Sequence, residues 1–133
     1  LPISYNIQGP LLNNYDIGGY LIFHFYPRHR VFLDNRPEAY PLSFFNDVYY
    51  PLQADEAAWQ RIDAQYRFNA IVFMRHDMTD HAQPFLIRRI QDEANWAPVF
   101  VDDFNIILLR RTPQNATAIQ QWEPRIRPML VAR

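Results

Sequence analysis

The sequence predicts an α/β domain built as a three-layer, mostly parallel, Rossmann-like sheet with an antiparallel hairpin at its edge. Short apolar runs rich in β-branched and aromatic residues, such as Ala70-Ile-Val-Phe-Met74, alternate with stretches whose apolar residues recur at helical spacing. That alternation calls for right-handed crossovers and helices on both faces of a sheet. Two further runs, Pro98-Val-Phe-Val101 and Asn105-Ile-Ile-Leu-Leu109, are separated only by Asp102-Asp103-Phe104, a gap that suits a hairpin at the sheet edge. The chain of 133 residues, 49% of them apolar, has no internal repeat or interdomain linker, so residues 1–133 are expected to form a single soluble domain with one core.

Taken in order, Gly9 to Asn14 reads as a short strand, and Asp16-Ile-Gly-Gly19 as a turn feeding a buried helix over 20–26 that Pro27 stops. Arg30-Val-Phe-Leu-Asp34 has the look of a buried parallel strand closed by Asn35-Arg36-Pro37. Residues 38–53 show no sustained period and are expected to be an irregular loop, with one helical turn over 43–48. Asp55 is placed to cap a helix over 56–67 that turns Ala58, Trp59, Ile62 and Tyr66 to the core.

Strand 70–74 follows, then a helix capped by Thr79 or Asp80 with Pro84 in its first turn. That helix is expected to bury Phe85, Leu86, Ile90 and Ala94 and to expose Arg88, Arg89, Asp92 and Glu93. After the hairpin, residues 114–130 are expected to be helical in part, broken by Pro124 and Pro128.

Composition narrows the function classes. A net charge of −1 with scattered arginines argues against a nucleic-acid partner. The absence of cysteine removes disulfides, thiolate nucleophiles and Cys-ligated zinc. No run approaches the roughly 20 apolar residues that span a bilayer, and no signal-peptide pattern appears. The first residue is Leu and the opening stretch is polar and aromatic, so a piece of a longer protein is expected.

In open α/β sheets ligands gather at the carboxyl ends of the strands. That rim is expected to carry residues 13–19, 34–36, 75–77 and Asp102-Asp103, an acidic set that a metal-assisted hydrolase could use through Asp16, Asp34, Asp102 and His76. Turn and cap chemistry predicts the same residue types at the same places, and is the simpler account. Gly18 and Gly19 lie before a helix, yet the spacing matches neither GxGxxG nor a Walker A loop, and there is no lysine to meet a phosphate. His76 and His81 are five residues apart, which does not set two imidazoles on one helical face. His24 and His29 read as structural, and neither of the two serines sits in a GxSxG elbow. The aromatic stretch 40–50 is either a binding surface or a loop that packs its own rings over the sheet.

Read as an ordered series, Asn13-Asn-Tyr-Asp-Ile-Gly-Gly-Tyr-Leu-Ile22, Arg30-Val-Phe-Leu-Asp-Asn-Arg36 with Tyr40, Asn69-Ala-Ile-Val-Phe73, Trp96-Ala-Pro-Val-Phe-Val-Asp102 and Ile107-Leu-Leu-Arg110 cover nearly the whole chain. The series resembles the C-terminal extracytoplasmic domain of bacterial polytopic membrane proteins of the GT-C glycosyltransferase type, related to dolichyl-phosphate-mannose-protein mannosyltransferases. It departs from that pattern with Ile17 where the family has tryptophan and Asn35 where it has glycine. A more distant likeness runs to the catalytic subunit of oligosaccharyltransferase, of whose W-W-D-Y-G motif only Asp16 and Gly18 remain.

The resemblance implies a non-catalytic accessory domain tethered to upstream transmembrane helices at the periplasmic or extracellular face. It also implies a binding role for Tyr15, Asp16, Gly18, Gly19, Asp34, Arg36 and Tyr40 toward an acceptor or a lipid-linked sugar, with no cofactor and no metal. A purely structural or protein-interaction domain is the remaining alternative.

Overall fold

A computed structural model describes residues 10–13, 48–75 and 82–131. Strand β1 (Leu11–Asn13) is followed by a short helix α1 (Tyr50–Ala54), helix α2 (Glu56–Tyr66) and strand β2 (Ala70–Met74). Helix α3 (Ala82–Gln91), strands β3 (Trp96–Val101) and β4 (Asn105–Arg110), a 3₁₀ turn (Pro113–Asn115) and helix α4 (Ala116–Val131) complete the order. The elements expected within residues 14–47 and 76–81, including helix 20–26, strand 30–34 and the cap at Thr79 or Asp80, lie outside the described residues.

The strands form a mixed sheet in the order β1-β2-β4-β3. β1 pairs with β2 in parallel, whereas β4 is antiparallel to both β2 and β3. β1, β2 and β3 therefore run one way and β4 the other. This corrects the expectation of a mostly parallel sheet with its antiparallel strand at the edge: among the described ladders one is parallel and two are antiparallel, and the reversed strand is interior. The hairpin joins the sheet through its second strand, which matches β2 residue for residue from Ala70↔Leu109 to Met74↔Asn105.

Alternation along each strand produces two apolar surfaces. Leu11, Ala70, Val72, Ala97, Ile107 and Leu109 share one cluster, against which Ile119, Ala118 and Trp122 of α4 pack. Leu12, Ile71, Phe73, Trp96, Ile106 and Leu108 share the other, with Leu52, Trp59, Ile62, Phe85 and Leu86 from α1, α2 and α3. The register of β3 shifts between Pro98 and Phe100. The extra residue of a bulge leaves Val99 and Phe100 on the same face, and both belong to the α4 side. Pro98 next to them is tolerated because β3 is an edge strand.

Helix α2 starts as the sequence predicts: the Asp55 side chain accepts from the Ala57 amide at 3.0 Å. Its end is set by Arg67 in the left-handed region, φ 55, which turns the chain into Phe68 and β2. Ala58, Trp59 and Ile62 are buried. Tyr66, expected in the core, is instead exposed and lies flat against Phe68, ring centres 5.5 Å apart.

In α3 the expectation that Arg89 is exposed is also corrected. It follows Phe85 by four residues and Leu86 by three, so the helix carries it onto the apolar stripe. The guanidinium is accepted there by Glu56 and lies over the Trp59 ring, 4.8 Å from its centre. Ala94, expected with Phe85 on the buried side, falls beyond the end of α3 and is exposed.

α4 runs unbroken through Pro124 and Pro128. Both prolines and Gln120 are exposed, so the bonds that Pro124 and Pro128 cannot donate are missing from the outer face of the helix. The helix is fastened across edge strand β3 by charge. Glu123 accepts from Arg111 and Arg127, and Arg127 also donates to Ile90 O at 3.0 Å and Trp96 O at 3.3 Å. The start of α4 is pinned by two buried amides: Asn115 Nδ2 donates to Asn69 Oδ1 at 3.0 Å and to Arg110 O at 2.8 Å.

Candidate functional site

The common direction of β1, β2 and β3 gathers their carboxyl ends at one sheet edge. There the Arg75 amide donates to Phe104 O at 2.7 Å and its guanidinium to Asp102 O at 2.5 Å, tying the end of β2 to the hairpin turn. The Gln83 amide on α3 donates to the Arg75 carbonyl. A cleft of about 530 Å³ opens beside them, lined by Arg75, Gln83, Leu86, Ile87, Ile90 and Leu130. Its walls are largely aliphatic, with a guanidinium and amides as the polar groups, a composition suited to a ligand with an apolar body and a polar head.

Asp102 of the expected acidic rim is a turn residue. Its Oδ1 accepts from Phe104 N at 2.8 Å and Asn105 N at 2.6 Å, which is the side-chain-to-backbone chemistry that Asp contributes to turns. That engagement counts against its use as a metal ligand. Among the described residues no group of three or more His, Asp or Glu side chains is placed to hold a metal ion.

The site residues predicted from sequence, Tyr15, Asp16, Gly18, Gly19, Asp34, Arg36 and Tyr40, lie outside the described residues, as do His24, His29, His76 and His81. β1 is described as far as Asn13, paired to Val72, and its parallel direction points that end to the same edge as Arg75. No helix among the described residues is long and apolar enough to cross a membrane.

A second polar concavity was not anticipated. At the opposite sheet edge, where β4 ends and β3 begins, a cavity of about 280 Å³ is lined by Glu56, Asp63, Arg89, Asp92, Asn95 and Arg110. Arg110 bridges Asp63 and lies over the Trp96 ring at 4.4 Å, while its Nε donates to Phe68 O at 2.6 Å. Asp92 accepts from the Asn95 amide at 3.0 and 3.1 Å. The sequence held a signal for this: Glu56 and Asp63 are seven residues apart and share a face of α2, and Arg89 continues the apolar stripe of α3.

Comparison with protein-family models found no matching family, and comparisons with curated proteins and with solved structures found no significant match.

Proposed function

We propose that the chain is a non-catalytic extracytoplasmic accessory domain of a membrane glycosyltransferase-like protein, tethered to upstream membrane-spanning helices, and that its carboxyl sheet edge helps to bind an acceptor or a lipid-linked sugar. The observation that carries the reading is the parallel pairing of β1 with β2, which brings the chain out of Asn13 on the edge where Arg75 lies and the amphipathic cleft opens. The block Asn14-Tyr15-Asp16-Ile17-Gly18-Gly19 follows directly in sequence. A cleft with aliphatic walls and a guanidinium suits a lipid-linked anion better than a fully polar substrate. In this reading Arg36 offers a planar fork to a phosphate or carboxylate and Asp34 accepts sugar hydroxyls. The finer architecture proposed with it is a three-layer, Rossmann-like arrangement, supported by the apolar clusters on both faces of the sheet.

The test is glycosyl transfer by the full-length protein carrying Asp16→Asn or Arg36→Met. Loss of a charge-assisted hydrogen bond, about 1.5–3 kcal/mol, corresponds to a fall of roughly 10- to 100-fold. Unchanged transfer by variants that still melt cooperatively would reduce both residues to structural roles. Translating the gene upstream of Leu1 checks the tether independently: apolar spans of about 20 residues are expected there.

A further inference from the structure

The polar cavity beneath α2 and α3 contains a guanidinium that its surroundings satisfy only in part. The Arg89 side chain is 5% exposed, and Nη2 alone is partnered, with both oxygens of Glu56 crowding onto that one nitrogen. Nε and Nη1 are buried and have no hydrogen-bond partner among the described residues. Buried donors are ordinarily paired, because an unpaired one forfeits its hydrogen bond to water without replacement.

A guanidinium meets a carboxylate best along its Nε–Nη2 edge, where two parallel N–H bonds face two oxygens. Glu56 uses only the Nη2 end of that edge and leaves Nε without a partner. Its side chain is 40% exposed and has a second cation within reach, Arg88 Nε, 3.8 Å away and itself buried without a hydrogen-bond partner. Glu56 can therefore swing from Arg89 to Arg88 without losing a cationic partner, which frees the fork of Arg89.

The acidic side of the cavity is unbalanced in the complementary sense. Asp63 is neutralised by Arg110, whereas Asp92 meets only the neutral amide of Asn95. Among the described residues the cavity thus pairs one guanidinium with spare donors and one carboxylate with no cation. At about 280 Å³ it lies just below the usual range for ligand pockets, which restricts it to a small molecule.

We propose that this cavity binds a small zwitterion of the α-amino-acid type, its carboxylate on the Nε–Nη2 edge of Arg89 and its ammonium on Asp92, with Glu56 as the placeholder that the ligand displaces toward Arg88. The site is separate from the carboxyl-edge cleft and does not depend on the function proposed for it.

The test is thermal unfolding of the intact chain with glycine, L-alanine and L-glutamate at concentrations up to about 10 mM, since a ligand held only by the folded state raises the midpoint. Acetate and methylammonium serve as the two half-ligands. A saturable rise with at least one amino acid, which neither half-ligand reproduces, is expected. Asp92→Asn keeps the contact to Asn95 but removes the charge, and should reduce the shift at least severalfold. Glu56→Gln weakens the internal competitor and should lower the concentration needed for half the shift. No rise with any amino acid would overturn the proposal. A full rise with acetate alone, or an undiminished rise in a cooperatively melting Asp92→Asn variant, would do so as well.

Discussion

Replacing Glu123 by Gln tests how α4 is held across the open edge of the sheet. Glu123 accepts from Arg111 Nη1 at 3.0 Å, from Arg111 Nη2, and from Arg127 Nε at 3.0 Å, with its own side chain 18% exposed. Burial acts to raise its pKa, but the hydrogen bonds and charges of Arg111 and Arg127 outweigh it and hold the carboxyl below the ordinary value of 4.5. A hydrogen bond to a charged group contributes about 1.5–3 kcal/mol. The lower end applies here, because the amide oxygen of Gln still accepts one bond and Arg127 retains Glu93, Ile90 O and Trp96 O.

The expected cost of Glu123→Gln near neutral pH is therefore about 1.5 kcal/mol, read as a lower midpoint in urea with an unchanged slope. The sign of the pH dependence follows from the depressed pKa. A carboxyl whose folded value lies below its unfolded value contributes fully above the unfolded value and loses that contribution as pH falls through the folded one. The gap between wild type and variant should thus be complete above 4.5 and close progressively below it. A gap that stayed constant down to about pH 3 would refute the argument, since the stabilisation would then not come from the ionised carboxylate.

Other outcomes follow from the same packing. Asn115→Ala removes the buried amide that joins Asn69 to Arg110 O, so chemical denaturation should show a loss of about 1–2 kcal/mol. Phe85→Ala deletes a ring packed against Trp59 and Phe73 and should cost about 3–5 kcal/mol by the same measurement. Asp55→Ala loses the cap on α2, for about 1 kcal/mol. Arg67→Gly relieves a positive φ and should leave stability unchanged or raise it by up to about 1 kcal/mol, whereas Arg67→Pro, which cannot adopt that φ, should prevent stable folding.

The local parts of the fold were legible because their signals are local. Ala70–Met74 is a strand with the bounds its apolar run suggests, and Asp55 caps α2 because a short acceptor precedes a helical period. The three residues between β3 and β4 permitted only a tight connection. The position of the hairpin in the sheet was not legible. Either of its strands could have met β2, and nothing within the run Asn105-Ile-Ile-Leu-Leu109 distinguishes an interior strand from an edge one. The choice rests on pairing across more than thirty residues of chain. The charge of Arg89 suggests an exposed position, but its place on the apolar stripe of α3 sets it against Glu56 and Trp59, which receive it. In the sequence the prolines of α4 suggest breaks because their cost depends on which face of the helix they occupy, and only the docked helix shows that this face is exposed.

The reversed interior strand also decides where a ligand site is geometrically available. In an open parallel sheet each strand delivers a crossover loop to the carboxyl edge, and ligands occupy the space where neighbouring loops diverge. Here β3 does not leave that edge through a crossover. It turns back at once through Asp102-Asp103-Phe104, and the turn is consumed by its own hydrogen bonds and by Arg75. Of the described strands, only β1 and β2 hand the chain onward there, after Asn13 and after Met74. Among the described residues, the polar groups that line the cleft at this edge are therefore Arg75, Gln83 and Gln91, and not the acidic pair of the hairpin. At the opposite edge the strand ends are occupied by the paired charges of Asp63 with Arg110 and Glu56 with Arg89, so chemistry there is limited to what can exchange with those pairs.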